Sequence, residues 1–172
     1  MMGVTLLSLT LAWLCSVGAD TNVPVVENLD VQKLAGKWYP IITAKREFMP
    51  RPNYAYTIEP SENGDILLKV EIPRFGTCKI QKVVLHTVSP SVFSMDEGLT
   101  TIRIVDTDYD TYLIIHFTSE KLVYLNLQGR QKDVLDHVKR KFMAFVEKLE
   151  FNPERLFYRH DMDLCTDPPA GN

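Results

Sequence analysis

Cysteine is scarce: three in 172 residues are too few for a disulfide scaffold, so apolar packing must hold the fold. Basic excess is missing too. Nineteen Lys and Arg against 22 Asp and Glu leave a formal charge of −3, with a pI near 5.8. That balance excludes nucleic acid as a partner. No run of like charges forms a tail, and no repeat or low-complexity stretch marks a second domain. No Asn-x-Ser/Thr acceptor occurs: Asn63-Gly64-Asp65, Asn126-Leu127-Gln128 and Asn152-Pro153-Glu154 all fail, so N-glycosylation is not expected. Long apolar runs are absent apart from "VTLLSLTLAWL", residues 4–14, which is too short to span a bilayer.

What is present begins with that run. Small residues follow it in "CSVGA", so residues 1–19 read as a signal peptide cleaved near Gly18 or Ala19. Only the amine of Met1 supplies positive charge ahead of the run. The alternative is a buried N-terminal helix. Residues 20–172 then form a single secreted, soluble, extracellular domain. Cys15 departs with the leader, leaving Cys78 and Cys165. In an oxidising compartment one disulfide is the natural reading, against two separate buried thiols.

The body of the chain is a series of short runs between turn signals. "NYAYTIEP" and "DILLKVEI" flank "SENG", a hairpin turn. Ile66, Leu68, Val70 and Ile72 alternate with Leu67, Lys69 and Glu71, which is period two. "TCKIQKVVLH", "SPSVFSM", "TTIRIV", "TYLIIHFT" and "KLVYLNLQ" continue the series. With the run after Trp38, about eight strands at regular spacing predict an up-and-down antiparallel barrel or a sandwich.

From Asp133 to Leu149 the period changes. Val134, Leu135, Val138, Phe142, Phe145, Val146 and Leu149 fall on one helical stripe, read as core. Asp133 is the expected N-cap and Asn152-Pro153 the expected stop. A last short strand, "RLFYR", follows. Val123, Leu125 and Leu127 should face the helix, with Tyr124, Asn126 and Gln128 on the other side.

In this order of elements, four local features resemble the lipocalins. "GKW" (Gly36, Trp38) matches the family's first motif, at the start of the first strand. "TDY" (Thr107, Asp108, Tyr109) matches the second, in a late hairpin turn. "GR" (Gly129, Arg130) matches the third, whose Arg packs on the Trp ring. Cys78 and Cys165 match the family's strand-to-tail disulfide. The resemblance spans residues 27–165 and is nearest to milk, tear, odorant-binding and epididymal types. It implies an all-β fold with one C-terminal helix, an eight-stranded antiparallel up-and-down barrel. Trp38 would close its floor beneath Arg130. Parity with the family pattern turns Ile66, Leu68, Val70, Val83, Leu85, Phe93, Met95, Ile102, Ile104, Leu113, Ile115, Phe117 and Tyr124 inward as ligand-binding residues, with Asn126 a polar member beside them and Ile114 pointing out. Eight strands sit at the margin where a barrel either fills with side chains or holds one small ligand.

Other chemistry fails on spacing. "DTDYD" has the alternating acids of a calcium loop, but Thr111 stands where Gly is needed and Phe117 where the closing Glu should be. His86, His116, His137 and His160 lack metal-ligand spacing, so no metal or cofactor is expected. No nucleophile elbow occurs. Some lipocalins isomerise substrates through a free barrel thiolate; here both remaining Cys are committed, so no enzyme is expected. The near-wholly apolar inward set argues against a bound organic anion. The expectation is an extracellular carrier of a small hydrophobic molecule (odorant, fatty acid or retinoid class), monomeric or weakly dimeric. The alternative is a partner-binding or immunomodulatory protein that presents the barrel to a cell-surface receptor.

Overall fold

The computed structural model describes residues 23–46, 54–74, 77–158 and 165. The leader at 1–19 lies outside the described residues. Eight strands close a barrel: β1 Gly36–Lys45, β2 Tyr56–Pro60, β3 Ile66–Arg74, β4 Thr77–Ser89, β5 Val92–Met95, β6 Thr100–Thr107, β7 Tyr112–Ser119 and β8 Val123–Gly129. Each pairs antiparallel with the next, and β8 returns to β1. One half of the remaining edge of β1 meets β2, with Trp38 opposite Tyr56. The other half takes a ninth strand, β9 Leu156–Tyr158, opposite Ile42–Ala44. A sandwich is thereby ruled out.

The turns are built locally. Between β2 and β3, Gly64 adopts φ +88° and donates its N–H to Ser61 O at 3.1 Å, a conformation glycine takes at no steric cost. Between β6 and β7, Asp108 Oδ1 accepts the N–H of Thr111 at 2.8 Å and of Tyr112 at 3.0 Å. "DTDYD" is thus a hairpin turn whose acid is occupied by backbone donors.

Two cores result. Outside the wall, α1 (Asp136–Lys148) lays Val138, Phe142 and Val146 over Ile114, Leu125 and Leu127. Fully burying each such side chain stabilises by about 1.5–3 kcal/mol. A register shift between Pro40 and Ile42 sets Ile42 and Ala44 on this outer face, although Trp38 faces in. Inside lies the second cluster, from Leu34 and Trp38 to Phe93 and Leu113.

Both helix ends differ from expectation. Leu135, not Asp133, occupies the N-cap position, without a side-chain cap bond. The Asp133 carboxylate instead reaches the Val134 N–H and Lys139 Nζ, at 2.8 and 2.9 Å. At the other end Glu150 turns left-handed at φ +57°, ahead of Asn152-Pro153. Phe151 N–H bonds Val146 O at 2.9 Å and Glu150 N–H bonds Glu147 O at 3.0 Å, which completes a Schellman cap.

Candidate functional site

The site starts at its floor. Trp38 is wholly buried and donates Nε1–H to Leu34 O at 2.9 Å. Arg130 covers the ring, its guanidinium carbon 3.8 Å from the centroid. The guanidinium also donates to Ala35 O at 2.7 Å, Lys33 O at 3.0 Å and Tyr109 O at 3.0 Å. Gly36 sits at φ +102°, and a Cβ there would lie 3.0 Å from Arg130 Nη1. Gly36 therefore admits the guanidinium itself. Thr107, Asp108 and Tyr109 are at this closed end: Thr107 Oγ1 donates to Tyr112 O at 2.7 Å, and the Tyr109 hydroxyl accepts the Asp30 N–H at 3.1 Å.

Above the floor the barrel encloses a cavity of about 260 Å³. From β3 it is lined by Ile66, Leu68 and Val70, and from β4 by Val83 and Leu85. Met95, Ile102 and Ile104 continue the wall through β5 and β6. Ile115 and Phe117 come from β7, and Tyr124 and Asn126 from β8. Phe117 and Tyr124 stack at 4.3 Å between centroids, 9° from parallel.

Phe93 and Leu113 differ from the rest of the inward set. Both belong to the inner cluster and are almost wholly buried, but neither lines the cavity. They pack the barrel interior without reaching the open space. Ile114 is outside the barrel, yet it is fully buried in the cluster that includes the α1 side chains.

Three lining residues went unforeseen: Tyr54, Tyr56 and Ile58. Their alternation in "NYAYTIEP" was the available signal. The Asn63-Gly64 turn sets Tyr56 opposite Val70 and Ile58 opposite Leu68, so the inward parity of β3 extends to β2. They add polarity to a wall expected to be almost wholly apolar. Lys45 is inward by register, opposite Tyr124, and buried, but it does not line the cavity. Its Nζ lies 4.7 Å from the centroid of the Phe157 ring.

Cys78 and Cys165 are joined as a disulfide, Cα atoms 5.8 Å apart. Among the described residues no three His, Cys, Asp or Glu side chains group as metal ligands. His86 Nδ1 is 3.1 Å from Asp65 Oδ2, while His116 is wholly buried, its ring centroid 6.1 Å from that of Phe151. No described helix is long and apolar enough to cross a membrane.

A closed eight-stranded calyx with an Arg-capped Trp floor and one packed helix defines a lipocalin. The family model for the lipocalins and cytosolic fatty-acid binding proteins matches residues 35–163, and the chain belongs to this family. Epididymal secretory protein 4 of Zootoca vivipara is 34% identical, over 99% of this chain and 100% of that protein. Major urinary protein 20 of Mus musculus is 31% identical, over 95% and 96% of the two chains. Lipocalin Can f 6.0101 of Canis lupus familiaris is 26% identical, over 85% and 83%.

Proposed function

We propose that residues 20–172 form a secreted carrier, without enzymatic activity, for a small neutral apolar molecule held in the calyx. The cavity carries this reading: its walls are mainly aliphatic and aromatic, and among the described residues that line it none is Lys, Arg, His, Asp or Glu. A bound carboxylate would find no countercharge there. Size narrows the ligand class. At the ~30 Å³ that a water-sized group occupies in a liquid, the cavity of about 260 Å³ takes roughly nine heavy atoms. That suits an odorant-sized molecule better than a retinoid or a long fatty acid.

Micromolar affinity asks for about 8 kcal/mol, or roughly 0.9 kcal/mol per heavy atom, below the ceiling of about 1.5 for very small ligands. Secretion is supported by the apolar leader, by the disulfide and by a relative named as an epididymal secretory protein. The disulfide also occupies both cysteines beyond the leader, which supports a binder over a thiolate enzyme.

The test is expression of the full chain in eukaryotic cells. Protein recovered from the medium should begin near residue 20. It should deplete 2-octanone from the headspace of a sealed vial with micromolar affinity. No depletion at any concentration reached, together with stoichiometric co-purification of one cell-surface protein, would replace the carrier by the receptor-binding reading.

A further inference from the structure

Tyr56 is 7% exposed, lines the cavity from β2, and lies between Trp38 and Val70 in register. Its hydroxyl is fully buried and has no hydrogen-bond partner among the described residues. A buried, unpaired hydroxyl is costly, and a phenylalanine would fill the same space without that cost. Among the described lining residues the other side-chain donors are Tyr54, Tyr124 and Asn126. Among the described residues no cation lines the wall, and the Lys45 Nζ lies against the Phe157 ring.

We infer that the Tyr56 hydroxyl is the polar anchor of the calyx, donating a hydrogen bond to a neutral acceptor (a ketone, aldehyde, ester or ether oxygen) on an otherwise apolar ligand of about nine heavy atoms. This rests on the carrier reading and adds a selectivity rule to it. Burial, with Tyr124 adding to it, holds the Tyr56 phenol well above its ordinary pKa. The group is thus a neutral donor across the physiological range, and the anchor does not switch with pH. Hydrocarbons of the same size gain apolar contact but leave the hydroxyl unpaired. Carboxylates of the same size bring an uncompensated charge.

Headspace depletion with 2-octanone and n-nonane, which have equal heavy-atom counts, tests the rule on the wild type and on Tyr56→Phe. The variant should lose about threefold to tenfold in affinity for 2-octanone, the range of one neutral hydrogen bond, and keep its affinity for n-nonane. Relief of the unpaired hydroxyl should also raise the unfolding midpoint of the ligand-free variant by about 2–4 °C. Equal changes for both ligands, or none, would mean that the hydroxyl serves water or nothing, and would sink the anchor while leaving the carrier. A lowered midpoint would reveal a protein partner and also overturn it. Wild type that takes up neither ligand would remove the carrier and the anchor together. Infrared spectra of 2-octanone on the wild type keep the test alive if the variant misfolds. The carbonyl stretch should fall below its value in hexane, and an unshifted band refutes the anchor.

Discussion

The guanidinium carbon of Arg130 lies 3.8 Å from the centroid of the Trp38 ring, and Gly36 leaves the room for it. Arg130 contributes a cation–π contact of about 0.5–2 kcal/mol and charged hydrogen bonds to carbonyls of the segment before β1. Arg130→Ala should therefore lower unfolding free energy by about 2–4 kcal/mol in urea titration. Gly36→Ala places a Cβ at 3.0 Å from Nη1 and strains φ, at about 1–3 kcal/mol. The double variant should lose less than the sum, since the steric part of the Gly36 cost vanishes with the guanidinium. Full additivity would mean that the two residues do not meet.

Asp108 gives a pH signature. Burial alone would raise its pKa, but hydrogen bonds from Thr111 and Tyr112 outweigh this and hold it below the ordinary carboxylate value. Its stabilising contribution is complete above the unfolded value of about 3.9 and is lost as pH falls through the lower folded value. The gap in melting temperature between wild type and Asp108→Asn should be constant from pH 7 to 5 and shrink below pH 4. A gap that widened in acid would contradict the direction of the shift.

Period-two runs made most of the wall legible. Ile66, Leu68 and Val70 alternate cleanly because one side of β3 is lined by the cavity. Alternation tells which side of a strand a residue takes, not whether it reaches open space. That is why Phe93 and Leu113 share the side of Ile102 and Ile115 and still miss the cavity. The bulge beside Ile41 is invisible to periodicity, because an extra residue shifts the face of every later position in the strand. The helix start differs for another reason: the Asp133 carboxylate pairs with Lys139 within the first turns of α1, a side-chain contact that the N-cap pattern does not include.

The disulfide makes a prediction about the thiols of the full chain. Cys78 and Cys165 are 87 residues apart, so the chain-entropy model assigns the link about 4–5 kcal/mol. Intact mass of protein recovered from the culture medium should show no alkylation before reduction and two alkylated thiols after it. Dithiothreitol should lower the urea midpoint. Two reactive thiols in unreduced protein would count against the link.

Ile115 faces the cavity, and Val84 on β4 is 47% exposed. A paired substitution therefore separates filling of the cavity from general damage. Ile114 cannot serve as the control, since it is fully buried in the outer core with the α1 side chains and a larger ring would overpack it at about 1–3 kcal/mol. Ile115→Trp adds bulk inside a cavity of about 260 Å³, enough to displace much of a nine-heavy-atom ligand. Headspace depletion of 2-octanone should fall at least tenfold. Val84→Trp puts the same ring into solvent and should keep affinity within about twofold, near the ±0.5 kcal/mol of surface substitutions. Circular dichroism and melting must first show both variants folded. Undiminished affinity in both variants would mean that ligand sits elsewhere on the molecule. Equal loss with intact folding would place a binding surface on the outer face of β4 instead of in the calyx.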